Sequence, residues 1–211
     1  MSLTNRKLVI MAKAPRPGSV RTRLAKTLPL PAVTELYLSL LNDTILGPQL
    51  DRVDVALMCP AYDVEDLSRA VAQAVRSVPQ TDQGLTAGLT SVFAHFTYPG
   101  HQRVIAFNSD SPHPPASVLE SAFDLLETRD LVVGPTHGGG YYLVGAKAPH
   151  PGLFSNDCMG TANALQALLT RARALELSVD LTDPFDDIDE ASDLGQLGDE
   201  ATRARQSPKN G

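Results

Sequence analysis

The chain has 211 residues, 43% of them hydrophobic and 20% charged, which suits one globular domain with a sizeable core and argues against a second of full size. A net charge of −6 and a pI near 5.3 speak against a general nucleic-acid binder, because counterion release needs an extended basic surface. Two distant cysteines, Cys59 and Cys158, argue against a disulfide framework or a Cys-rich zinc site, and no apolar run approaches the roughly 20 residues of a membrane span or the core of a signal peptide, so a soluble cytoplasmic protein is expected.

The first element is an apolar strand, Leu8–Ala14. It runs into Lys13-Ala-Pro-Arg-Pro-Gly-Ser-Val-Arg-Thr-Arg-Leu24. There Pro15 and Pro17 stiffen the backbone, Gly18 permits close approach, and Arg16, Arg21 and Arg23 offer planar forks for phosphate oxygens. Seven cations, Arg6, Lys7, Lys13, Arg16, Arg21, Arg23 and Lys26, precede the first acidic residue, Glu35. Such clustering asks for a local anion, with a solvated basic turn as the plain alternative. Neither a Walker A loop nor a Gly-x-Gly-x-x-Gly turn is present, so kinase and dehydrogenase readings lose support.

A first helix is expected from about Pro31 through Leu36, Leu40, Leu41 and Ile45 to Gly47-Pro48, followed by a strand over Val53–Cys59. A second helix opens at Asp63 or Asp66 with Leu67, Val71 and Val75 on its inner face. A third covers Gly84–Phe96, and Gln83–Leu89 reads either as its start or as a lining for base or ribose. The strand Val104–Phe107 ends in Asn108-Ser109-Asp110-Ser111-Pro112. Asp110 there is placed either to hold Mg²⁺ or to cap the helix Pro114–Leu126, whose Val118, Leu119, Ala122 and Leu125 recur at helical spacing.

Strands Leu131–Gly134 and Tyr141–Gly145 are joined through Pro135–Gly140, too short for a parallel crossover, so one antiparallel strand is expected in a mostly parallel sheet. Within that join, Gly138-Gly139-Gly140 before Tyr141-Tyr142 is either a tight reversal letting a ligand approach bare backbone or a simple flexible hairpin. His137 makes no metal argument, because the five histidines are scattered. A fifth helix over Thr161–Leu175 and a strand over Ser178–Leu181 follow. Seven acidic residues then lie between Asp180 and Asp193 without a basic one. Such a run is usually a solvated turn, although Asp187 and Asp189 flank Ile188 in an i, i+2 arrangement that suits a shared metal face.

Alternating strands and helices predict a single-domain α/β fold with helices on both faces of the sheet. In such folds ligands bind outside the carboxyl ends of the strands, where these motifs fall.

Taken together, the Lys13–Leu24 loop, Ser109-Asp110-Ser111-Pro112, Gly134-Pro135 through Gly139-Gly140-Tyr141-Tyr142-Leu143, and Asp187-Ile-Asp189 through Asp193-Leu194 resemble the rSAM/selenodomain-associated transferase family, formerly a domain of unknown function. Through it the chain is similar to the nucleotide-diphospho-sugar transferase superfamily with the Rossmann-like GT-A fold, which includes molybdenum-cofactor and phospholactate guanylyltransferases. The resemblance covers about residues 8–195 and implies a transferase-like domain over residues 1–197 with a flexible tail over 198–211. It implies a nucleotide bound over Ala12, Lys13, Arg16, Gly18, Arg21 and Arg23, with Arg21 and Asp110 catalytic. It further implies Mg²⁺ or Mn²⁺ held by Asp110 with Asp187 or Asp189, and an acceptor against Gly139, Gly140 and Tyr141.

Two positions depart from the family pattern: Arg21 stands where Lys is usual, and Gly138 where Asp is usual. The expected reaction is transfer of an NMP from an NTP to a small phosphorylated or sugar acceptor. The alternatives are an NDP-sugar glycosyltransferase and, prompted by Gly138, a non-catalytic nucleotide-binding accessory protein. Base, acceptor and oligomeric state stay open at this level.

Overall fold

A computed structural model of the protein describes residues 5–46, 53–97, 103–109, 114–155 and 157–185. Asp110, Asp187, Asp189 and the expected tail lie outside these residues.

Five short apolar segments form the middle of the sheet, covered on both faces as in a mostly parallel sheet. They are β1 (Arg6–Met11), β2 (Val53–Cys59), β4 (Arg103–Asn108), β5 (Leu131–Pro135) and β6 (Tyr141–Ala146). Two edge strands, β3 (Arg76–Pro79) and β7 (Val179–Leu181), complete the order β3-β2-β1-β4-β6-β5-β7. Every pairing is parallel except the two made by β6, so the expected single antiparallel strand is present.

Alternation along the strands separates two cores. Leu8 and Ile10 face α1 (Leu30–Leu46), α2 (Val64–Ala70) and α4 (Ala116–Thr128) through Tyr37, Leu41, Leu67 and Phe123. Val9 faces α3 (Leu85–Phe96) and α5 (Ala164–Ala174) through Val92, Phe93 and Leu168. Each fully buried Leu, Val or Phe contributes about 1.5–3 kcal/mol, so both layers hold the sheet between the helices. Among the described residues no helix is long and apolar enough to cross a membrane.

Two expectations need correction. The second helix does not continue through Val71 and Val75: α2 stops at Ala70, and Val71 is already extended at φ −77°, ψ 141°. The chain then makes β3, which the sequence hides. Val78 is the one buried residue of that strand, and Pro79 ends it, as Pro is tolerated only at the margins of a sheet. The fifth helix starts at Ala164, three residues later than expected, because residues 157–163 form turns with Cys158 at φ +67° and Gly160 at φ +74°.

Candidate active site

The connectivity reverses at β1. From β1 the chain steps outward to β2 and β3, then crosses back to β4 on the other side, which opens a crevice between the carboxyl ends of β1 and β4 where Met11 and Asn108 are in register. The same edge carries the loop after β1, the turn after β2, the start of α3, Ser109 after β4, the Pro135–Gly140 reversal and the segment after β7.

The opening loop is pinned from below and hydrogen-bonded within itself. Ala12, Ala14, Val20 and Leu24 are buried, and Ala12 N–H continues the sheet by donating to the Met58 carbonyl (3.0 Å). The Tyr37 hydroxyl grips the Lys13 backbone twice, accepting from its N–H (2.9 Å) and donating to its carbonyl (3.0 Å). Arg16 N–H donates to Ala14, while the Arg16 carbonyl accepts from both the Ser19 N–H and hydroxyl. Gly18 sits at φ +79° with open space around it. Arg21 has φ +49°, a left-handed backbone that costs a side-chain-bearing residue about 1 kcal/mol and recurs at functional sites.

The seven N-terminal cations do not form one patch. Arg6 and Lys7 lie at the opposite, amino end of β1, bound to Glu120, Asp124 and Asp54. At the carboxyl end, the exposed Lys13 ammonium has no side-chain partner among the described residues. Arg16 donates to Asp63 and Asp66 and lies over the Tyr62 ring, 5.8 Å from its centroid. Those bonds raise the guanidinium pKa further, and Arg16 in turn holds the Asp66 carboxyl below its ordinary value. Arg23 is exposed one turn further on. Asp63, Asp66 and Tyr62 were not expected at the site, although an acidic run placed directly after a strand opposite a basic loop was the signal.

Ser109 is buried and Asn108 partly so at the crevice mouth, and Asp110 follows them in the chain. Among the described residues no three His, Cys, Asp or Glu side chains come together as a metal site. The carboxylates expected for that role, Asp110, Asp187 and Asp189, lie outside those residues. As a donor set, hard carboxylate oxygens beside phosphate suit Mg²⁺ or Mn²⁺.

The glycine reversal is a built turn. Thr136 N–H donates to the Gly140 carbonyl (3.0 Å), Gly139 N–H donates to the Thr136 carbonyl (3.1 Å), the Thr136 hydroxyl accepts from Gly140 N–H (3.0 Å), and the Gly139 carbonyl accepts from Leu165 N–H at the start of α5 (3.0 Å). Gly139 has φ +82°, and a Cβ there would collide with the Ala162 carbonyl. Gly138 has no such restriction, its nearest neighbour being Thr136 Oγ1 at 3.9 Å.

Beside the turn a bulge between Gly134 and Pro135 shifts the register, and the ring of Tyr142 fills the space where a Gly134 Cβ would stand. As consecutive residues of β6 the two tyrosines face opposite sides of the sheet. Tyr142 packs edge-on against Phe107 and Phe185, with its hydroxyl on Thr182 and the Asp183 carbonyl. Tyr141 points to the other layer, where burial pushes its phenol up to about 12 and it lines a small cavity with Phe154, Asp157, Met159, Leu168 and Arg171. Cys59, below the crevice, is likewise pushed up to about 11 by burial and the neighbouring Asp63 charge, so it is a neutral thiol.

A family model described as "Uncharacterized protein conserved in bacteria (DUF2064)" matches residues 45–161. The chain belongs to that family. No curated protein matches this DUF2064 member by sequence. Among solved structures, a protein of Desulfovibrio desulfuricans G20 provisionally described as a nucleotide-diphospho-sugar transferase superposes with a TM-score of 0.86 at 24% identity, over 97% of this chain and 91% of that one. A nucleotidyl transferase from Methanothermobacter gives 0.58 at 18% identity, over 94% and 98%. A Mycobacterium tuberculosis H37Rv protein solved in complex with manganese gives 0.54 at 17%, over 93% and 98%. The fold is therefore that of the nucleotidyl and nucleotide-sugar transferases, as the sequence motifs imply.

Proposed function

We propose that this DUF2064 member is a metal-dependent nucleotidyltransferase that moves an NMP from an NTP to a small phosphorylated or sugar acceptor. The observation that carries the reading is the convergence, at the β1/β4 switch point, of a pinned basic loop with the strand end preceding Asp110. Lys13, Arg21 and Arg23 neutralise the β- and γ-phosphates, and the exposed backbone around Gly18 lets them approach. An acceptor oxygen attacks the α-phosphorus, the bond to the β-phosphate oxygen breaks, and pyrophosphate leaves with its charge held by the same cations. Asp110 with Asp187 and Asp189 would hold the divalent ion, which supplies charge neutralisation at the α-phosphate. Gly139, Gly140 and Tyr141 are the residues this reading gives to the acceptor side, with the neutral Tyr141 phenol lining the small cavity beside the turn.

The test is turnover with each of the four NTPs and Mg²⁺ in the presence of a panel of sugar phosphates. Release of pyrophosphate supports the reading, and absence of any NTP-dependent thermal shift overturns it. One observation favours an NDP-sugar glycosyltransferase instead: with Arg16 engaged by carboxylates and Arg6 and Lys7 remote, fewer cations face the ligand, and a diphosphate needs fewer. Release of NDP from an NDP-sugar identifies that reaction. The space around Gly138 also makes Gly138→Asp a clean test of the accessory-protein alternative, in which the native chain binds NTP without turnover and the substitution restores it.

A further inference from the structure

Arg16 is the hub of its loop. Its N–H donates to Ala14, and its carbonyl accepts from the Ser19 N–H and hydroxyl, so whatever grips its side chain immobilises residues 14–19. The grip is acidic and partly buried. Asp63 occupies the N-cap position of α2 at 2% exposure, yet makes no capping bond to the helix and accepts from Arg16 Nη1 instead. Arg16 Nη2 donates to Asp66 (2.5 Å) and to the Tyr62 carbonyl (3.2 Å). Of the five N–H donors of a guanidinium, three are thus committed to the β2–α2 connection. Swinging the guanidinium away from Asp63 toward a substrate phosphate would leave that carboxylate buried without its cation, a strongly unfavourable state.

We propose that Arg16 is a positioning residue rather than a phosphate ligand, and that Asp63 and Asp66 are its anchors. The strut ties the phosphate loop to the β2–α2 connection, so that Lys13, Arg21 and Arg23 meet the nucleotide from a loop already set in place. The inference rests on the nucleotide reading of the site. The two roles predict opposite signs. A strut that loses an anchor loosens the loop and weakens binding, whereas a ligand arginine relieved of a competing carboxylate binds phosphate better.

The experiment measures NTP affinity with Mg²⁺, and amide hydrogen exchange of residues 14–20 without nucleotide, in the full-length protein. Asp66→Asn, whose carboxylate is half-exposed, is expected to weaken NTP binding severalfold, and Asp63→Asn and Arg16→Gln by about tenfold or more, as removal of supporting partners does elsewhere. Exchange in residues 14–20 is expected to accelerate in all three. Unchanged or tighter NTP binding in Asp66→Asn overturns the proposal, as does unchanged exchange in Arg16→Gln. If Asp63→Asn does not fold, the other two variants carry the test. If the native protein binds no NTP, the nucleotide reading fails and the exchange measurement still decides whether the strut exists.

Discussion

The two ends of β1 carry similar cations and put them to different use. At the amino end Arg6 is in register with Arg103 on β4, a like-charge pair that the acids of α4 neutralise: Glu120 and Asp124 take Arg6 at 2.5 and 2.8 Å, and Glu127 takes Arg103 at 2.6 Å. Lys7 is closed off by its register partner Asp54 and lies over the Phe96 ring. At the carboxyl end Lys13 has no acid beside it among the described residues, Arg21 holds a left-handed backbone, and Arg16 is tied to the neighbouring turn. Cations at the amino end are paired with acids of the fold, whereas at the carboxyl end Lys13, Arg21 and Arg23 are the ones the proposed function gives to the phosphates.

Substitutions at the two ends should therefore separate stability from function. The largest effect is expected at Arg21. Arg21→Ala and Arg21→Gly should each lower turnover about 10²- to 10³-fold, the usual loss when one charge-stabilising donor is removed. The glycine variant should be the more stable of the two by about 1 kcal/mol, since glycine alone carries no penalty at φ +49°. Equal turnover by native and variant proteins would make Arg21 structural.

Next comes Gly139→Ala, which meets both a left-handed φ and the Ala162 carbonyl. About 2–4 kcal/mol of stability should be lost in urea unfolding, and an unchanged midpoint would show that the turn relaxes freely. Lys13→Ala and Arg6→Ala form the direct contrast. The first should weaken NTP binding about tenfold with melting nearly unchanged. The second should cost about 1 kcal/mol of stability and leave NTP affinity alone; the opposite pattern would erase the distinction between the two ends.

The smallest effect is on the acid side. Arg16 depresses the Asp66 carboxyl, and the Ser178 hydroxyl and N–H depress that of Asp130. A folded pKa below the unfolded one contributes stability that is present above the ordinary carboxylate value of about 4 and is lost as pH falls through the folded pKa. These two carboxylates should make unfolding midpoints decline below about pH 5, beyond the loss that sets in as pH falls through about 6.5 because burial lowers the His95 and His150 pKa values. Ser178→Ala should flatten that decline, and an acid limb identical to the native one would remove Asp130 from the account.

Much of the fold was legible because buried parallel strands read as unbroken apolar runs. β2 spans the expected Val53–Cys59, and α3 starts within a residue of expectation. β3 was not legible because a short edge strand buries too little to leave a pattern, and Val71 and Val75 sit at helical spacing without being helical. At the site, the loop after β1 and the glycine turn before β6 were visible as motifs, since both depend on local backbone chemistry. Tyr37 and Asp63 were not, because each reaches the loop across a long sequence separation, and the acidic run after β2 does not say by itself which cation it meets.

Composition, periodicity and turn residues determined by themselves an α/β chain with one antiparallel strand and a basic loop at the end of its first strand. Each of those follows from short-range rules of burial and backbone geometry. Which cations are paired with which acids was decided only in three dimensions, by register and by helix placement. Charges neutralise one another through space, and sequence order does not say that Arg6 meets Glu120, that Lys7 meets Asp54, or that Arg16 is taken by Asp63 while Lys13 meets no acid among the described residues.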